Sequence, residues 1–129
     1  MDDTIDLSLD HVQLAAPAGC EAIARAYFAG LLGLIEVPKR GDTVGSGGAW
    51  FRTATIELHV GVDPEFRPAR KAHVALRLQS IAALEALGVR LAAAGHPVRW
   101  DSRLPGVRRF FTDDPWGNRL ELLTGSLVD

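Results

Sequence analysis

Asp10-His11-Val12-Gln13-Leu14 and Ala72-His73-Val74-Ala75-Leu76 decide the fold of this 129-residue chain. Each alternates at the two-residue period of a half-buried strand and carries one histidine at the same place in the alternation. Two later stretches answer them, Ile56-Glu57-Leu58 and Leu120-Glu121-Leu122. His11 precedes Glu57 by 46 positions and His73 precedes Glu121 by 48, so the chain reads as two copies of one unit that differ by a short loop.

Outward from these stretches the order of elements repeats as well. Leu9 to Ala15 reads as a strand, and Pro17-Ala18-Gly19 breaks it. An Ala- and Leu-rich helix follows, with Ile23, Ala26, Tyr27 and Leu31 on one stripe and Gly33 as its stop. Leu34 to Lys39, Ala49 to Thr53 and Thr55 to Val62 read as strands, and the glycine-rich Gly41 to Gly48 as a mobile loop. After the punctuated connector Asp63 to Pro68, Lys71 to Leu78 opens the second copy. A helix with Ile81, Leu84, Leu87 and Leu91 on one side ends at Gly95, and the strands Pro97 to Asp101, Val107 to Thr112 and Arg119 to Leu123 complete it. The expected fold class is α+β: one domain, residues 1–129, made of two βαβββ modules (about 5–62 and 71–124). Together they form a cupped eight-stranded mixed sheet with the helices on its outer face.

Strand parity assigns the faces. Ile56, Leu58 and Val60 point one way, toward a helix, and Thr55, Glu57 and His59 the other. In the second copy Val74, Leu76, Leu78, Leu120 and Leu122 take the apolar back, and His73, Ala75, Arg77 and Glu121 the polar front.

Composition excludes several classes of function. With 14 Lys+Arg against 16 Asp+Glu the chain lacks the basic face that nucleic-acid binding needs. The longest apolar runs, such as Ala26 to Ile35, fall short of the ~20 residues that span a bilayer, and the acidic start Met1-Asp2-Asp3 is unlike a signal peptide. A cytoplasmic protein with no nucleic-acid or membrane partner is expected. Cys20, the only cysteine, cannot form an internal disulfide and reads as a small buried side chain.

Two imidazoles and two carboxylates at repeat-equivalent positions, His11, Glu57, His73 and Glu121, offer four ligands to a divalent ion, with Zn, Ni, Mn and Fe all compatible. Such an ion polarises neighbouring substrate oxygens. Glu57, or else Glu121, can then move a proton at a carbon beside a carbonyl. His59 shares the face of Glu57 and is a rival ligand. His96, between Gly95 and Pro97, reads as loop chemistry. Parity and proximity make Gln13, Trp50, Arg52, His59, Arg77, Arg109 and Phe111 the candidate pocket, with Arg77 the candidate for holding a carboxylate or phosphate in a paired hydrogen bond. Arg67, Arg70 and Lys71 form a solvated charge run, and Trp116 a packing or dimer contact.

These residues resemble the vicinal oxygen chelate superfamily of glyoxalases, extradiol dioxygenases, epimerases, and fosfomycin- and bleomycin-resistance proteins. The strongest likeness is Asp114-Pro115-Trp116-Gly117-Asn118-Arg119-Leu120-Glu121, similar to that family's turn into its last strand and metal-binding Glu; Asp10-His11-Val12, Tyr27-Phe28 through Leu32-Gly33-Leu34, Ile56-Glu57-Leu58 and Ala72-His73-Val74 add to it. The resemblance spans about residues 7 to 124 and implies His11, His73 and Glu121 as firm metal positions, with Glu57 a fourth. It also implies a homodimer that covers the open side of the cup, which the cost of exposed strand edges favours independently. The implied function is a metal-dependent lyase or isomerase, less readily a dioxygenase, acting on a small oxygen-rich or carbonyl substrate through a metal-chelated enolate-like intermediate. Ala15 and Gly61 stand where glutathione-using glyoxalases carry a basic residue and an Asn, and the single tyrosine, Tyr27, sits on a helix, so neither glutathione chemistry nor ring cleavage is expected. The alternative is a non-catalytic protein that binds a drug or natural product, like the bleomycin-resistance proteins.

Overall fold

The structure is a computed structural model that describes residues 3–125; Met1 and Asp2 of the acidic start, and residues 126–129, lie outside them. The repeat is carried through. β1 (Val12–Ala16), a first helix, β2 (Ile35–Val37), β3 (Ala49–Arg52) and β4 (Glu57–Val62) are followed by β5 (Val74–Arg77), α2 (Ile81–Ala93), β6 (Arg99–Asp101), β7 (Arg108–Asp113) and β8 (Arg119–Thr124). The fold is α+β with two βαβββ modules, as the repeat predicts. The eight strands divide into two four-stranded mixed sheets, ordered β1-β4-β3-β2 and β5-β8-β7-β6. In each, the first strand runs parallel to the last, Val12 opposite Leu58 and Val74 opposite Leu120.

The apolar backs of both sheets share one core. Leu14, Phe51, Leu58 and Val60 from the first sheet meet Phe110, Leu120 and Leu122 from the second, with Tyr27, Phe28, Leu84 and Leu91 of the helices among them. Burying an aromatic or aliphatic side chain of this size stabilises the fold by about 1.5–3 kcal/mol, so these side chains dominate its energetics. Because both backs turn to the same core, the two polar fronts face outward, one from each sheet.

The first helix departs from the predicted stripe. It starts as α1 (Glu21–Ala24) and continues as a wide π-helical segment, Arg25–Leu31, in which Leu32 N–H reaches back to the Tyr27 carbonyl at 3.0 Å. The wider turn rotates the buried face onto Cys20, Ala24, Tyr27 and Phe28, and leaves Ile23 half exposed and Ala26 outside. Gly33, at φ 79°, ends the segment in the left-handed region as expected. The loop over residues 41–48 is tethered: Glu21 Oε2 accepts from Gly48 N–H at 3.0 Å, and Lys39 donates to Ser46 Oγ at 2.8 Å and to the Gly47 carbonyl.

Side chains join the modules. Fully buried Asn118, on the turn before β8, accepts from Ala69 N–H at 2.9 Å and donates to the Ala15 carbonyl of β1 at 2.9 Å and to Asp114 Oδ2 at 2.8 Å. Trp116 stacks on Phe28, and His96 meets the Tyr27 ring edge-on at 4.9 Å, a packing contact between modules rather than loop chemistry alone. Among the described residues no helix is long and apolar enough to cross a membrane.

Candidate functional site

The polar front of each sheet holds half of the predicted ligand set. In the second module Glu121, on β8, is buried, with its side chain 3% exposed. Its Oε1 lies 3.0 Å from His73 Nε2, and its Oε2 accepts from Arg109 Nη1 at 3.2 Å. His73, just before β5, places Nδ1 3.0 Å from the Lys71 carbonyl. A carbonyl only accepts, so Nδ1 carries the hydrogen and the Nε2 lone pair is the one turned to Glu121. An imidazole lone pair and a carboxylate oxygen both present electrons, so a cation belongs between them: a proton, or a metal ion.

Arg109 is nearly buried and is held from behind, its Nη2 donating to Asp101 Oδ1 at 3.3 Å. The two are cross-strand partners on β6 and β7. The Arg103 side chain, and after it Arg109, hold the Asp101 carboxyl down at about 2. Phe111 closes one side of this half, edge-on to His73 at 5.8 Å with the Arg109 guanidinium 5.0 Å from its ring centre.

In the first module His11 directly precedes β1 and is half exposed; its Nδ1 lies 2.8 Å from Asp10 Oδ1. Here again an acceptor takes Nδ1–H and leaves Nε2 for a ligand role, so the two histidines are oriented by the same device. A three-ring stack supports His11: its ring lies 4.3 Å from His59, and His59 lies 4.1 Å from Trp50 at 3° between planes. His59 is buried, its Nε2 has no hydrogen-bond partner, and burial first, then the neighbouring His11, push its pKa below the ordinary histidine value. Its ring lies sandwiched between His11 and Trp50. Glu57 is half buried and stands opposite Arg52 across the β3–β4 ladder. His11, Gln13, Trp50, Arg52, Glu57 and His59 all line one open cleft of about 1070 Å³, together with Arg40.

The structure therefore brings His11, Glu57, His59, Trp50, Arg52 and Gln13 together, and separately His73, Glu121, Arg109 and Phe111. It does not bring the two groups together within one chain: among the described residues no three of His, Cys, Asp and Glu form a metal-sized cluster. The physical reason is the common core, which turns the two fronts away from each other. Arg77 lies apart from both halves; it is exposed, its Nε donates to the Gly125 carbonyl at 2.8 Å, and it borders an apolar groove instead. Asp101 and the Lys71 carbonyl escape a sequence reading, because their roles depend on strand register and on backbone direction. Asp10, adjacent to His11, is the one orienting partner visible in the sequence.

Cys20 and Tyr27 are not part of either half. Burial, then Glu21, push the Cys20 thiol up to about 11, and the Tyr27 hydroxyl is buried in the core with its pKa raised mainly by burial. The Gln13 side chain lies against Gly61, where an added Cβ would stand 2.8 Å from its amide.

No family-level sequence model matches the chain, and no curated protein does. Solved structures do. A glyoxalase family protein from Bacillus anthracis is 38% identical, with 98% of this chain and 100% of that one aligned at a TM-score of 0.87. A point mutant of the fosfomycin resistance protein FosX from Listeria monocytogenes, complexed with Mn(II) and 1S,2S-dihydroxypropylphosphonic acid, is 20% identical over 95% of each chain, at 0.78. Lactoylglutathione lyase from Agrobacterium tumefaciens is 21% identical over 91% and 94%, at 0.67. The fold, the repeated half-sites and the 38% identity over the whole aligned length agree: the chain belongs to the glyoxalase family of the vicinal oxygen chelate superfamily.

Proposed function

We propose that the protein is a divalent-metal-dependent enzyme of this superfamily, with lyase or isomerase chemistry on a small oxygen-rich or carbonyl substrate. The observation that carries the reading is the paired orientation of the histidines. Both give Nδ1–H to an acceptor, Asp10 or the Lys71 carbonyl, and both keep Nε2 for a ligand. His11, Glu57, His73 and Glu121 would hold the ion, which when bound supplies Lewis-acid polarisation of substrate oxygens.

Because each chain carries two separate halves, the reading takes a homodimer as the working unit, in which the first-module half of one copy meets the second-module half of the other. The chain's own residues then have distinct tasks. Glu57, half buried and across from Arg52, is the base that takes a proton from a carbon beside a carbonyl. Glu121 is fixed on one oxygen by Arg109 and so is the stationary carboxylate, with Oε1 as its ligand atom. Trp50 and Phe111 keep water from the reacting carbon. Gln13, packed over Gly61, and the burial of Tyr27 support chemistry that uses neither glutathione nor a tyrosine acid.

The test has two parts. Chelator-stripped protein is offered Mn, Fe, Co, Ni and Zn, and near-stoichiometric uptake is expected that His73→Ala abolishes. The loaded protein is then incubated in D2O with small α-hydroxy and α-keto carbonyl compounds, and NMR reads exchange at the carbon beside the carbonyl, which Glu57→Gln is expected to stop. Absence of metal uptake, or exchange unchanged in Glu57→Gln, overturns the proposal.

A further inference from the structure

β8 carries a second charged side chain on the front of the second module. Arg119 and Glu121 are two residues apart on this strand, so they point the same way from positions about 7 Å apart along it. Arg119 is half buried, and its guanidinium carbon lies 5.9 Å from the centre of the Phe111 ring. The same ring lies 5.8 Å from His73 and 5.0 Å from the Arg109 guanidinium, so Arg119 shares a wall with the second half-site.

Its charge is unmet. Arg119 Nε is buried without a hydrogen-bond partner, and the side chain forms no ion pair among the described residues. Asp113 is its cross-strand partner on β7, yet both oxygens of that carboxylate are taken by Arg99, at 2.9 and 3.2 Å. Asp101 and Glu121 are engaged in turn by Arg109. A guanidinium only donates and keeps its proton, so it cannot adapt to burial by becoming neutral. An unmet donor of this kind is costly to hold in a fold.

We propose that Arg119 anchors an oxyanion of the substrate, a carboxylate or a phosphate, while neighbouring oxygens at the substrate's other end meet the ion. The substrate class is then a small α-hydroxy or α-keto compound that carries an anionic group beyond its chelating oxygens. The task that strand parity gives to Arg77 falls to Arg119, because Arg77 donates to the Gly125 carbonyl, apart from both half-sites. Charge agrees. Glu57 and Glu121 balance a divalent ion and Asp101 balances Arg109, which leaves Arg119 to meet a negative ligand. The Phe111 ring attracts the cation without using its N–H bonds, and these stay free for a paired contact. The inference deepens the reading of a metal site and rests on it.

The experiment is isothermal titration calorimetry of the full chain loaded with Mn, using two pairs of probes. Each pair differs by one anionic group: lactate and malate for the carboxylate, dihydroxyacetone and dihydroxyacetone phosphate for the phosphate. Metal uptake and circular dichroism are measured first on wild type, Arg119→Met and Arg119→Lys, and all three are expected to be alike, since Arg119 is no ligand of the ion. Wild type is expected to bind the more charged member of one pair about tenfold or more tighter, as for a hydrogen bond to a charged group. The pair that shows this preference identifies the oxyanion. Arg119→Met should bring the ratio to about one with the affinity for the less charged member unchanged, and Arg119→Lys, which keeps the charge and loses the fork, should retain part of it. A ratio that is unchanged in the variants, or a wild type with no preference in either pair, overturns the anchor and leaves the metal site standing. A wild type that takes up no metal overturns the reading of the site, and the same titrations of metal-free protein then decide Arg119 by the same outcomes.

Discussion

Arg109 and Glu121 form a buried ion pair, Nη1 to Oε2 at 3.2 Å, with side chains 10% and 3% exposed. Removing one charge from such a pair leaves the other desolvated and alone. Arg109→Met, which keeps the volume of the stem, is therefore expected to cost about 3 kcal/mol, read as a shift of the urea midpoint. An ion bound at Glu121 replaces the missing positive charge, so the loss should shrink when Mn or Zn is added. An equal loss with and without metal would separate Arg109 from the metal half-site.

Asn118 gives a second stability prediction. Its three hydrogen bonds tie β1, the connector at Ala69 and the turn at Asp114. Asn118→Ala strands the Ala69 N–H, the Ala15 carbonyl and Asp114 Oδ2, and a loss of about 3 kcal/mol or more is expected, at about 1–3 kcal/mol for each unsatisfied group. Urea denaturation followed by circular dichroism measures it.

Asp101 sets part of the acid limb. Arg103, and then Arg109, depress its carboxyl from 3.8 to about 2 in the fold. A depressed carboxyl contributes stability that is fully present above its unfolded value and is lost as pH falls through the folded one. The window is therefore about 3.8 down to about 2. The stability gap between wild type and Asp101→Asn should be constant above that window and close toward its lower end, as read by thermal melts at stepped pH. A gap that persists at the lower end would mean that Asp101 acts through packing and not through its charge.

Cys20 is buried, its Sγ–H donates to Glu21 Oε2 at 3.2 Å, and its thiol is pushed up to about 11. Folded protein should react with a thiol reagent at least ~100-fold more slowly than unfolded protein at neutral pH, since the thiolate is the reactive form. Rapid labelling without loss of structure would contradict this placement.

The repeat made the architecture legible, and parity made the faces legible: Leu58 and Val60 do enter the core while His59 and Glu57 line the opposite side. Properties that depend on local helix width did not show, because the π-helical turn at Arg25–Leu31 changes which residues face inward without changing the composition of the stripe. Arg77 shows the limit of parity. It identifies a face, but the side chain turned to the Gly125 carbonyl at the strand end. Asp101 shows another, since its bond to Arg109 follows from the β6–β7 register, which a sequence with a loop between the strands leaves open. The four ligand candidates were found by their equivalent positions in the repeat. Their division into two outward fronts follows from the sharing of one core, a property of the packed chain and not of either module.

The claim that the two halves belong to one site in a dimer is tested most directly by mixing. His11→Ala and His73→Ala chains, each purified without metal, are unfolded together in equal amounts, refolded and offered Mn or Zn. The account predicts that neither variant alone binds metal, and that the mixture regains about one quarter of wild-type uptake. Half of randomly formed dimers are mixed, and each mixed dimer rebuilds one of its two sites. A mixture that binds no more metal than the separate variants, beside a wild type that binds stoichiometrically, would contradict a shared site.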